Sequence, residues 1–226
     1  MEPYSPRRKP RQLQVLNNSI VPFAPSAAWY AAWWQARRNG LPDAQSVAAA
    51  NIATGISGKD YARCRIKANG NEILLSVAIE GGAARLKRRS HISSAQLSDH
   101  GNWRHVHLGA IEAAYGRAPY FQHLFPIISD VYSGTAGSLA DFTLELHKAI
   151  SGFLSIPEKT LFHNTEQTDS GITAYLRSDA TDRIHPEAIY ERASELAVQI
   201  SPHLSIIDPL MHLGTEILLP LTLLQN

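Results

Sequence analysis

A period of two governs the hydrophobic and polar positions in one stretch of the chain, and helical spacing governs most of the others. Ala62, Cys64 and Ile66 alternate with Arg63, Arg65 and Lys67. Asn69-Gly70 follows, a pair that tolerates the positive φ angles of a tight turn. Beyond it Ile73, Leu75, Val77 and Ile79 alternate again, and Gly81-Gly82 closes the run. The pattern predicts a hairpin whose apolar face packs inward while three cations project together from its first strand.

Helical spacing predicts the remaining elements. Pro25-Ser26 opens a helix over Ala27 to Arg38 that carries Trp29, Tyr30, Trp33 and Trp34, and Asn39-Gly40 stops it. The tryptophans serve either as core or as a stacking platform at a pocket mouth. Leu108, Ile111 and Tyr115 share a face, and Pro119 starts a further helix with Phe121, Leu124, Phe125 and Ile128. Ser138 with Asp141 makes a capping box ahead of Leu139, Phe142, Leu146, Ile150 and Phe153. Pro186 suits the first turn of a helix with Ile189, Ala193, Leu196 and Ile200, ended before Pro202. Short strands are expected at Leu13 to Phe23, Leu161-Phe162 and Ile172 to Leu176, whereas Gln45 to Ser57 is alanine-rich and weakly periodic. This order predicts the α/β class: a flexible basic arm over residues 1–12, then a single domain over 13–226. The domain is expected to hold a mixed β-sheet containing the hairpin, with helices packed against it. By analogy alone it is expected to be a nucleotide-binding-like layer fold.

Composition changes the picture in a few respects. The chain has 226 residues, 44% of them apolar, enough for a sizeable core. A formal charge of +1 gives no general pull toward nucleic acid or membrane, and no nucleic-acid recognition motif is present. The single cysteine, Cys64, excludes an internal disulfide and fits a reducing compartment. The basic N-terminal stretch is followed by no apolar core and does not read as a secretion signal. Leu204 to Leu224 is leucine-rich, but Asp208, Pro209, His212, Glu216 and Pro220 interrupt it, so it predicts a buried element. The expectation is a cytoplasmic protein without an integral membrane segment.

Candidate chemistry concentrates in His100-Gly-Asn-Trp-Arg-His-Val-His107, read as a loop between the hairpin and a helix. His105 is the expected acid/base group, with His100 and Asn102 orienting it. Trp103, Arg104, His107, Tyr115 and Tyr120 are expected to contact substrate. On a strand, positions 105 and 107 would point the same way, so the H-x4-H-x-H spacing also admits a metal site; no fourth ligand is evident, and no metal is assigned. Arg63, Arg65 and Lys67 form the second constellation, a row able to cradle a carboxylate or phosphate, or else a solvated strand face. Asp208 before Pro209 reads either as a helix N-cap or as a carboxylate orienting one histidine of the block. No P-loop, G-x-G-x-x-G, C-x-x-C, G-x-S-x-G or H-E-x-x-H motif occurs, and no cofactor is identified.

Tyr61-Ala-Arg-Cys-Arg-Ile-Lys67, the histidine-tryptophan block, Ala113-Ala-Tyr115, Ala118-Pro-Tyr-Phe121, Leu204-Ser-Ile-Ile-Asp208 and Leu213-Gly214 together resemble the WbqC-like family, in its Bacteroidetes-type form. The resemblance runs in order from about Ile20 to Leu221. It implies a bacterial protein of O-antigen or other surface-polysaccharide synthesis, with a glycine or acyl transferase activity suggested for such proteins. Together with the residues above, it leads to the expectation of a transferase or ligase-like enzyme. Its partner would be a small anionic donor, a nucleotide sugar or an acyl donor. Ala44 to Lys59 departs from the acidic, glutamine-rich segment usual in the family. That departure supports the alternative of a catalytically degenerate binding or scaffold protein, and the histidines a further one, a metal-dependent hydrolase.

Overall fold

A computed structural model of the chain describes residues 19–87, 89–156, 201 and 203–217. The expected basic arm, the strands at 161–162 and 172–176 and the helix after Pro186 lie outside the described residues.

Helix α1 (Ala27–Arg38) forms where its caps say it should. The Ser26 hydroxyl accepts the Trp29 N–H at 3.3 Å, Arg37 and Arg38 occupy the last turn, and Gly40 leaves with φ +83°. Helix α2 (Asp43–Ala53) is the weakly periodic segment, and its burial explains the weakness. Ser46, Val47, Ala48, Ala49, Ala50 and Asn51 are all buried, so no polar stripe marks a solvent side. Small side chains such as Ala36 and Ala49 let α1 and α2 pack closely.

A 3-10 turn at Gly58–Ala62 leads into the hairpin of β1 (Arg63–Ala68) and β2 (Asn71–Ser76). The strands pair antiparallel with Cys64 opposite Leu75 and Ile66 opposite Ile73, and Asn69 and Gly70 both take positive φ. Cys64, Ile66, Leu75, Val77 and Ile79 face the core as expected, but Ile73, near the hairpin tip, is 37% exposed. The outer edge of β1 is covered. The Ser205 N–H donates to the Arg65 carbonyl at 2.7 Å, and the Lys67 N–H donates to the Tyr115 hydroxyl at 3.1 Å.

Short helix α3 (Arg89–Ile92) precedes the long helices α4 (Trp103–Tyr115), α5 (Phe121–Ser133) and α6 (Leu139–Phe153). Their apolar stripes, Ile111 and Tyr115, Leu124 and Ile128, and Phe142, Leu146 and Ile150, join one core with the hairpin and α1. Ser138 caps α6, accepting the Asp141 N–H at 3.1 Å. Helix α7 (Ile207–Leu213) is buried nearly throughout. No helix among the described residues is long and apolar enough to cross a membrane.

The arrangement is α/β, helices packed with a hairpin. Among the described residues the sheet is that two-stranded hairpin, and no parallel nucleotide-binding layer accompanies it. Ser19 to Phe23, expected to end a strand, is irregular chain; the Phe23 N–H donates to the Tyr61 carbonyl at 3.1 Å, and Ser26 just beyond forms an isolated bridge with Ser205.

Candidate functional site

The histidine block is not a loop. His100–Asn102 form a 3-10 turn, and α4 begins at Trp103. Helical geometry turns about 100° per residue, so His105 and His107 diverge by about 200° rather than sharing a face. His105 is exposed and His107 is buried. No group of three histidine, cysteine, aspartate or glutamate side chains among the described residues is placed to hold a metal ion.

The interior members of the block are spoken for by the protein. His107 meets the Tyr132 hydroxyl through Nδ1 at 3.2 Å and stacks 5.7 Å from Phe23. Burial pushes its pKa down to about 4, against a smaller upward pull from a backbone hydrogen bond to Ser76. The Trp103 indole donates to the Ser98 carbonyl at 2.8 Å. Arg104 donates to the carbonyls of Tyr132 at 2.8 Å and Ala136 at 3.3 Å, fastening the end of α5. His100 is exposed on a groove of about 510 Å³ lined by Ser76 to Ala83 and Ser98, and Asn102 is exposed with φ +46°.

Tyr115 and Asp208 resolve a separate question. The Tyr115 hydroxyl, which accepts from Lys67, donates to Asp208 Oδ1 at 2.8 Å. Asp208 is therefore neither the cap nor the partner of a histidine of the block, and the histidine it meets is His212, whose Nδ1 lies 2.8 Å from the Asp208 carbonyl. Ile206 is the N-cap residue of α7, and the Ser205 hydroxyl accepts the Ile207 N–H at 3.2 Å. Burial raises the Asp208 pKa, opposed by the Tyr115 hydrogen bond. Tyr120 lies farther along, half-buried, its N–H donating to the Met211 carbonyl at 3.0 Å.

The cations of β1 stand at a cleft of about 450 Å³. Arg63 and Arg65 line it together with Ala24, Ser26, Thr54, Asp60, His203 and Ser205. Lys67 is not among the lining residues. Arg63 Nε is buried without a hydrogen-bond partner, an unusual state for a guanidinium nitrogen. Arg65 instead meets Glu72 at 3.3 Å, and Glu72 also accepts from His203 Nε2 at 2.5 Å. Ala24 holds φ +39°, a conformation costly for a residue with a Cβ, on the cleft wall. Cys64 lines the cleft too, but burial pushes its thiol up to about 12, so it stays protonated at neutral pH. Chemically, the cleft offers two guanidinium groups, an imidazole and small hydroxyls, a set suited to holding an anion.

Arg63 and Arg65 were legible in the sequence through their alternation. His203, Ser26, Thr54 and Asp60 were not, because long-range folding alone brings them to β1. Ser205 carried a signal, lying inside the Leu-Ser-Ile-Ile-Asp step.

The family model of the WbqC-like proteins matches residues 56–175, just over half of the chain. The chain belongs to the WbqC-like family. No curated protein and no solved structure matches it. In this WbqC-like protein the matched region holds β1 with its arginines and the whole histidine block, while Ser26, His203 and Ser205 reach the cleft from outside it.

Proposed function

We propose that this WbqC-like protein is a transferase of bacterial surface-polysaccharide synthesis. Its cleft at β1 would receive an activated anionic donor, a nucleotide sugar or an acyl donor. The observation that carries the reading is Arg63: a guanidinium nitrogen buried at a cleft without a protein acceptor, beside a second arginine. A phosphate or carboxylate oxygen supplies that acceptor with a charge-assisted hydrogen bond. His203, an imidazole among the residues lining the cleft and engaged with Glu72, would pass a proton during transfer in this reading. The exposed His105 is not among the residues lining the cleft.

Calorimetric titration of nucleotide sugars and an acyl-coenzyme A thioester tests this. Arg63→Ala is expected to weaken donor binding by about 2 kcal/mol, while His105→Ala leaves it unchanged. Equal affinity in wild type and Arg63→Ala would remove the cleft from the reading.

One observation favours a second reading, a binding protein without turnover. The Ser26 and Ser205 hydroxyls accept backbone N–H groups, and Cys64 is held as a thiol, so these three supply no activated nucleophile. Donor binding without group transfer to any acceptor in the presence of cell extract would select that reading.

A further inference from the structure

The cleft at β1 also has an apolar side. Pro22, Pro25 and Ala28 line it at the entry to α1, Ala53 and Ile56 at and just past the end of α2, and Leu74 on β2. Leu74 is the cross-strand partner of Arg65, so both side chains leave the hairpin on one face. Alternation gives the outward face of such a hairpin to polar side chains. Leu74 nevertheless stands on it, 47% exposed, in the wall of the cleft that Arg63 and Arg65 also line.

The polar groups of the cleft narrow what fits against that wall. The Thr54 hydroxyl donates to the Ala50 carbonyl at 2.7 Å, and Asp60 Oδ2 accepts the Ser57 N–H at 3.1 Å. The Ser205 hydroxyl accepts the Ile207 N–H at 3.2 Å and bonds to Cys64. These groups serve the fold, while the two guanidiniums can only donate. A sugar ring needs acceptors as well as donors, and hydroxyls left unpaired count against it. A nucleobase fares no better: the Phe23 ring is 0% exposed and stacks on His107 and Phe142. Charge agrees. Apart from His203, two guanidiniums and the Asp60 carboxylate leave the lining one net positive charge, a match for one negative charge and not for a nucleotide's diphosphate.

We propose that the cleft takes an aliphatic acyl group, its carboxyl end at Arg63 and Arg65 and its chain along Leu74 and Ile56. This rests on the donor reading of the cleft and settles which of the two donor classes it serves. A straight-chain carboxylate is the hydrolysed form of such a group and serves as its probe.

Butyrate, hexanoate and octanoate titrated into the full chain by calorimetry provide the test, with octanol and uridine diphosphate glucose as further arms. Each added methylene is expected to tighten binding roughly threefold. Octanol, lacking the charged end, should bind roughly tenfold more weakly than octanoate or worse. Arg63→Ala is expected to weaken all three carboxylates by the same factor. Leu74→Ser, a change at an exposed position, should flatten the dependence on chain length and leave butyrate nearly unchanged. Ile56→Ser repeats that measurement from the other wall. Affinity independent of chain length overturns the proposal, as does an unaltered dependence in both serine variants. Tighter binding of the nucleotide sugar than of octanoate, lost in Arg63→Ala, overturns it while leaving the anion cleft standing. Binding of every ligand without regard to Arg63, or no binding at all, removes both.

Discussion

His107 and His147 lie in the interior as neutral imidazoles, their pKa values pushed by burial to about 4 and about 3. For His147 the nearby Arg37 charge acts in the same direction. In the unfolded chain a histidine titrates near 6.5, so between these values the unfolded state binds more protons than the folded one. Stability is therefore full above about pH 6.5 and falls as pH drops toward 4. His107 alone contributes a loss on the order of 3 kcal/mol once fully protonated. His107→Gln can still meet the Tyr132 hydroxyl but takes up no proton. Urea midpoints measured from pH 7 to pH 4 should show a lower stability at pH 7 and a shallower decline for that variant. A slope equal to wild type would show that His107 is not the acid-labile group.

Elements meet where two short steps cross. Tyr120, at the start of α5, packs its ring against Gly214, at the end of α7, and the Tyr120 N–H binds Met211. A Cβ on Gly214 would sit 2.2 Å from the Tyr120 ring, and the position also holds φ +56°. Gly214→Ala should thus cost about 2 kcal/mol, because the ring must swing away and a strained backbone gains a side chain. Combining it with Tyr120→Ala, which removes the obstruction, should recover part of the loss in a double-mutant cycle of unfolding free energies. Purely additive effects would locate the cost in the backbone alone.

Across the whole molecule, Glu72 bridges the hairpin to residue 203 at the cleft, between Arg65 and His203. The His203 hydrogen bond, with the His203 and Arg65 charges behind it, holds the Glu72 carboxyl below its usual range. Glu72 also competes with any anion for Arg65. Glu72→Gln is expected to tighten binding of an anionic donor, most clearly at low salt, where surface charges are least screened. Titrations at two ionic strengths check this, and weaker binding in the variant would show that Glu72 positions Arg65 instead of occupying it.

By itself the sequence determined the elements whose causes are local. The hairpin follows from alternation around Asn69-Gly70, α1 from Ser26 and Asn39-Gly40, and α6 from Ser138, because period and capping act within a few residues. It also exposed the arginine row, since side chains two apart on a strand share a face. Tertiary structure decided the rest. The histidine block entered a helix instead of a loop, sending His107 into the core and His105 to solvent. Helix α2 hid from its own periodicity because it is buried on most sides. Asp208 found Tyr115, 93 residues away, and Tyr30 of α1 meets His147 of α6 from more than a hundred positions away. Such meetings depend on how finished elements pack, and no local pattern records which distant side chain will lie opposite.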